Sequence, residues 1–166
     1  MTVYIRHGND DQEKTTFAHD NKLNLKAISQ INRQIPEIIK KYGVPDVILL
    51  SPFHRVRYTV IEMMKYFKNN RIRVKYMVEP RLGRYFNYNE QKRPEVRGST
   101  KYYKPYIKET VEAFNYRVKR QFNSVKNRFR GKKVWCITHA LVINEMLEIH
   151  RRKTIPNIRF LECFSF

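Results

Sequence analysis

Two arginines and two histidines stand where side chains could be gathered for one reaction. They are Arg6 and His7 in "VYIRHGNDD", Arg55 in "SPFHRVRYT" and His139 in "CITHALVI". A neutral imidazole is a competent nucleophile near pH 7. A guanidinium donates as a planar fork that matches two oxygens of a phosphate. Together these types suit the binding and transfer of a phosphoryl group, which depends mostly on positioning and on cations around the equatorial oxygens. Singly, each signal has an ordinary explanation. An Arg-His-Gly tripeptide is commonly a surface turn, Ser51 and Pro52 read as a helix start with Ser51 as its cap, and a lone histidine is commonly structural. Their joint placement, each at a junction of strand and helix, carries the reading.

Such junctions have to be delivered to one place by the elements between them. Residues 2 to 6 read as a strand and residues 9 to 22 as a polar loop. Leu25, Ile28, Ile31, Ile35, Ile38 and Ile39 recur at three and four and predict a helix. Pro36 should kink or break it, and Tyr42-Gly43 should stop it. Asp46 to Leu50 suits a buried parallel strand. A second helix follows on Val56, Val60, Met63, Met64 and Phe67, then a strand over Ile72 to Val78. Residues 83 to 104 are irregular, and a loop of that length is often functional. A long helix runs from Ile107 to Phe129 and ends at Gly131. Lys133 to Thr138 is a strand, a helix continues to about His150, and Ile158 to Phe166 is a last strand. The alternation predicts one α/β domain over residues 1 to 166, a three-layer sandwich with a mainly parallel sheet flanked by helices. Ligands of such sheets bind at the carboxyl ends of the strands, where helix N-termini offer N–H groups to anions.

Composition narrows the class. The chain has 166 residues, 42% hydrophobic and 13% aromatic, as a globular fold requires. No stretch has the apolar length of a membrane span, and no secretory segment opens the chain, so a cytoplasmic protein is expected. Cys136 and Cys163 lie in no metal or redox spacing and should be reduced thiols. No metal or cofactor is expected. Lys plus Arg number 34 and Asp plus Glu 15, giving a formal charge of +19. That field attracts nucleic acid, anionic membranes, acidic partners and highly phosphorylated small molecules alike. The composition also leans towards Lys, Asn, Ile, Tyr and Phe, the residues of AT-rich codons, so genomic bias is an alternative source of the lysine excess.

The motifs resemble those of the histidine phosphatase superfamily, which includes the cofactor-dependent phosphoglycerate mutases. Its Arg-His-Gly motif is similar to "YIRHGND", and its early loop to "HDNKLNLKAISQI". Its Ser-Pro-x-x-Arg-x-x-x-Thr is similar to "SPFHRVRYT", its Glu-Thr/Ser helix to "ETVEAFNYRV", and its final motif to "CITHALVI". The resemblance spans residues 3 to about 147 in the right order. It implies that His7 attacks phosphorus to give a phosphohistidine, while Arg6, Arg55 and His139 hold the phosphoryl oxygens. Gly8 would let the chain turn away from the phosphate, with Asn9 beside the substrate, and no metal would be needed.

One position departs from the family pattern. The usual general acid is a Glu two residues after a leucine, but "EPRLGRYFNYNEQ" places Gly83 and then Arg84 after Leu82. A guanidinium releases no proton near neutrality, and general acid catalysis contributes on the order of 10²- to 10⁴-fold. Three outcomes follow. Glu79, Glu90, Asp10 or His54 could act instead. The substrate could carry a good leaving group, as phosphohistidine or a phosphoanhydride does; small members resembling protein phosphohistidine phosphatases work without that Glu. Or the chain could be a catalytically silent member, a basic structural or nucleic-acid-binding protein of a larger assembly such as a virion. Arg84 itself would favour a second phosphate on the ligand. The stretch "RVKRQFNSVKNRFRGKK", residues 117 to 133, holds no acid and is either the solvated face of a helix or a surface for nucleic acid phosphates.

Overall fold

The computed structural model describes residues 1–9, 23–85 and 109–166. Five strands form one sheet in the order β3-β2-β4-β1-β5: β1 (Thr2–Arg6), β2 (Val47–Leu50), β3 (Lys75–Val78), β4 (Val134–Thr138) and β5 (Cys163–Ser165). The first four are mutually parallel, and β5 runs antiparallel along β1. β2 and β4 are buried along their whole length, as apolar runs in a covered parallel sheet should be.

Side chains alternate across the strands and divide the core in two. Val3, Ile5, Ile48, Leu50, Trp135 and Ile137 face one side, where α1 (Leu25–Tyr42) packs Ile31, Ile35 and Ile38 and α2 (His54–Asn69) packs Val56, Val60, Met63 and Phe67. Tyr4, Leu49, Val134 and Cys136 face the other. There α3 (Val111–Arg128) brings Phe114, Val118 and Val125, and α4 (Ala140–Ile149) brings Val142, Ile143 and Met146. This is the expected three-layer arrangement. The two thiols fall on opposite sides: Cys136 is buried in the second core, Cys163 packs on the first, and both are free.

Several local expectations are corrected. Pro36 does not break α1, which runs through it. Position 36 faces solvent, so water can satisfy the carbonyl one turn back, while burial of Ile31, Ile35 and Ile38 holds the helix together. Ser51 is not the cap of α2; that position is Phe53, and the Ser51 hydroxyl is engaged elsewhere. α3 begins at Val111, because Thr110 has extended backbone and accepts from the Ala113 N–H; Ile107 lies outside the described residues. β3 covers only the second half of Ile72 to Val78. The C-terminal segment forms only a short strand, since Leu161 turns through a left-handed φ of 59° ahead of it.

Pro36→Ala restores a backbone donor on an exposed helix face. It is expected to raise stability by about 1–3 kcal/mol and the thermal midpoint by several degrees. Thermal unfolding checks this; an unchanged or lower midpoint would contradict the account of α1.

Candidate active site

Sheet order decides what meets at the carboxyl edge. β4 lies between β1 and β2, so three strands end side by side. The His7 N–H bonds the Thr138 carbonyl at 3.0 Å, and the Ser51 N–H bonds the Ile137 carbonyl at 3.1 Å. His7 follows β1, Ser51 follows β2 and His139 follows β4 directly. α2 then carries Arg55 in its first turn. α4 starts on His139 with no side-chain cap and no acid in its first turn, leaving its positive end at the site.

His7, Arg55 and His139 are 3%, 5% and 4% exposed and form one hydrogen-bonded set. The Arg55 Nε–H donates to His7 Nε2 at 3.1 Å, and its Nη2 lies 3.2 Å from His139 Nδ1. A guanidinium can only donate, so each of those ring nitrogens presents a lone pair. The other nitrogens carry the protons. His7 Nδ1–H donates to the Gly8 carbonyl at 2.7 Å, and His139 Nε2–H to Ser51 Oγ at 2.9 Å. The imidazole centroids are 5.3 Å apart. Burial first, and then the charge of Arg55, pushes both histidines well below the usual imidazole range; Arg6 adds to this at His7, and Arg84 at both. Both effects favour neutral rings, and the unprotonated nitrogen of His7 faces the arginine.

Thr59 ties this set to the turn after β1. Its Oγ1 accepts from the Gly8 N–H at 2.9 Å and donates to the Arg55 carbonyl at 2.7 Å. Gly8 has no left-handed φ, so the turn does not need a glycine for its backbone conformation. Space favours one: a Cβ would meet side-chain atoms of Ile31 and Leu23 at 3.3 Å and Thr59 Oγ1 at 3.4 Å, which would have to give by a few tenths of an ångström. Asn9 contributes its carbonyl, which accepts from the N–H of Asn24, the cap residue of α1.

Arg6 points to the C-terminal segment. Its guanidinium donates to the Ile158 carbonyl and lies 4.0 Å over the Phe160 ring, which is 5.7 Å from the His7 ring. Phe160 therefore walls the His7 ring, and no sequence motif pointed to it. Ser51 and Thr59 sat inside a motif without a role of their own.

The segment carrying Arg84 is clamped from two sides. Thr138 Oγ1 donates to the Leu82 carbonyl at 2.6 Å, and Leu82 is fully buried. Arg117 of α3 donates from Nη1 to the carbonyls of Arg81 (2.7 Å) and Gly83 (2.9 Å), and from Nη2 to that of Arg84 (3.1 Å). Its remaining donors meet Glu109 at 2.7 and 2.8 Å. All five donors of one guanidinium are thus used. Arg117 belongs to this clamp and not to a solvated basic face. Of the alternative proton donors, Glu79 is bound by Arg81 at 2.9 Å. Burial opposes its ionisation, but the Arg81 side chain and backbone overcome this and hold the carboxyl below its usual range. His54 lies edge-on to Tyr58 on α2; Asp10 and Glu90 lie outside the described residues. Among the described residues, no cluster of three or more His, Cys, Asp or Glu could hold a metal, and no helix is long and apolar enough to cross a membrane.

The family model for the histidine phosphatase superfamily (branch 1) matches residues 2–162. A comparison with curated proteins finds no match. Among solved structures, the chain is similar to a mycobacterial glucosyl-3-phosphoglycerate phosphatase, with 13% identity and TM-score 0.67, covering 98% of this chain and 90% of that one. It is similar to a phosphoglycerate mutase from Bacillus anthracis, with 13% identity and TM-score 0.66, covering 99% and 87%. A mutant phosphoserine phosphatase from Entamoeba histolytica, solved with phosphoserine, matches at 15% identity and TM-score 0.61, covering 98% and 89%. At these identities the structures establish the phosphoglycerate mutase-like fold.

Two expectations follow from the geometry. Below the ordinary histidine pKa of 6.5, an unfolded chain takes up protons that buried His7 and His139 refuse. Stability should fall with pH from 7 towards 5 by up to roughly 1 kcal/mol per unit for each ring. Inorganic phosphate should reduce that slope by favouring protonation. Thermal unfolding across this range tests it; a slope unaffected by His7→Gln would contradict it. Arg117→Lys keeps the charge but cannot serve five acceptors, and should cost about 2 kcal/mol or more in urea unfolding. A cost below about 0.5 kcal/mol would show that the clamp is not needed.

Proposed function

The chain belongs to the histidine phosphatase superfamily, and on that premise we propose that it is a phosphohydrolase working through a phosphohistidine at His7. One observation carries the reading. His7 Nδ1–H is held on the Gly8 carbonyl, so the Nε2 lone pair is directed at Arg55 in a buried, cationic place.

The steps follow from those atoms. The phosphoryl group of a substrate takes the donors of Arg55, which leave the ring nitrogens for its equatorial oxygens. Nε2 attacks phosphorus, forming an N–P bond as the bond to the leaving oxygen breaks. The Gly8 carbonyl stabilises the positive charge that appears on the ring. Arg55, His139 and the positive end of α4 share the charge on the phosphoryl oxygens. Water then attacks the phosphohistidine and releases phosphate. His7 stays neutral well below pH 6.5, so activity should persist into mildly acidic solution.

Arg84 stands at the family's general-acid position and adds positive charge at both histidines. A cation there stabilises a departing anion without protonating it. The reading is therefore a phosphatase for good leaving groups, such as aryl phosphates, phosphoanhydrides or phosphohistidine, and a poor one for alkyl esters. The same observation favours a second reading, a catalytically silent member that retains the anion site.

Turnover of an aryl phosphate and of an alkyl phosphate separates these readings. The aryl ester should be hydrolysed, and His7→Ala should abolish this. Arg84→Glu should raise the alkyl rate by at least about tenfold by supplying a proton. Absence of turnover on aryl phosphate, phosphohistidine and phosphoanhydride alike would overturn the enzymatic reading.

A further inference from the structure

A second cluster of cations lies at the opposite edge of the sheet from His7. Lys119, Arg120 and Lys126 project from α3, and Arg130 and Lys132 from the turn after it; all are exposed. α4 packs beside α3, its end marked by His150 against Phe122 with ring centroids 4.9 Å apart. Exposed Arg151 and Lys153 follow. The N-terminal ammonium joins them through the Lys132 carbonyl at 3.2 Å.

Carboxylates only partly offset this charge, with exposed Glu148 in the last turn of α4 and Asp46 beside Lys133. Among the described residues these side chains enter no ion pair. Glu79 and Glu109 are engaged elsewhere, with Arg81 and Arg117. Of the acids in this layer, Glu112 lies in the first turn at the other end of α3, while Glu145 and Glu148 lie on α4. The helix dipole explains cations in the last turn of α3, Lys126 and Arg128. It does not explain Lys119 or Arg120 further back, nor Arg130, Lys132 and Lys153 beyond the helix ends. Like charges closer than a Debye length of about 8 Å repel. An anion laid along this face would meet several cations at once.

We propose that this α3/α4 face binds the phosphate backbone of nucleic acid, independently of the His7 site. Three features select that partner. Arginines and lysines alternate with Asn123 and Asn127, which are also exposed and can donate to phosphate or sugar oxygens. The exposed large apolar residues of these helices, Val111, Tyr116 and Leu141, sit towards their N-terminal ends; Met1 is exposed at the basic end but does not make the broad apolar face that bilayer insertion needs. The 18 residues of α3 span about 27 Å at ~1.5 Å per residue, enough to follow roughly eight base pairs. Readout of sequence is not expected, because contacts of this kind carry no base information.

Fluorescence anisotropy with labelled mixed-sequence duplex DNA and single-stranded RNA, each about 20 nucleotides long, tests the proposal over a salt series. The expected result is sequence-independent binding, with a slope of log K against log salt near about −5. The quadruple variant Lys119→Gln, Lys126→Gln, Arg130→Gln, Lys153→Gln should lose about three units of that slope and at least about tenfold in affinity. Its thermal midpoint should not fall. His7→Ala should bind as the wild type does, which separates this surface from the phosphatase reading. No binding at about 50 mM salt, full binding by the quadruple variant, or tighter retention on phosphatidylserine vesicles than on either oligonucleotide would overturn it.

Discussion

A guanidinium buried between two buried imidazoles can persist only if everything it touches is held in place. Moving a cation out of water costs several kcal/mol unless its donors are met. What offsets that cost is a set of lone pairs aimed at its N–H groups, and the neutral state of His7 and His139 supplies them. The arrangement is mutually enforcing. The cation keeps both rings neutral, and the neutral rings solvate the cation. A phosphoryl dianion brought to the same donors would meet a guanidinium already fixed between two rings, so a site built this way suits an anion.

The surrounding structure can be understood as what keeps this set fixed. Parallel strands with β4 in the middle bring three strand ends together within two hydrogen bonds. Thr59 links the turn after β1 to the first turn of α2 with one hydroxyl that accepts and donates. Thr138 reaches sideways to Leu82, so the strand that ends on His139 also anchors the segment bearing Arg84. Arg117 completes the anchoring from α3 and uses all its donors on backbone carbonyls and Glu109. The C-terminal segment covers the last side: Leu161 N–H returns to the Arg6 carbonyl at 3.0 Å, and Phe160 lies over the Arg6 guanidinium.

Much of this was legible in the sequence, for physical reasons that can be named. The layered fold followed from apolar runs in β2 and β4 and from three-and-four spacing in α1 and α3. His7, Arg55 and His139 were visible because each follows a strand and opens, or nearly opens, a helix. Other features left no local signal. That Pro36 is tolerated depends on which face of α1 meets water. Ser51 looked like a cap because capping and bonding a histidine use the same hydroxyl. Gly8 looked like a residue for turning, whereas its neighbours Ile31 and Leu23 are distant in sequence and would crowd a Cβ. Arg117 sat in a basic run and could be told from its neighbours only by the loop carbonyls it meets. Phe160 reaches the site from beyond every motif.

The central claim is that His7 acts through Nε2 because Nδ1 is held by Gly8. The direct measurement is to incubate the protein with a small phosphoryl donor, phosphoramidate or acetyl phosphate, quench in alkali, and map the adduct by mass spectrometry and phosphorus NMR. The account predicts one acid-labile phosphoryl group, on Nε2 of His7. An adduct on Nδ1, an adduct on another residue, or no adduct with either donor would contradict it.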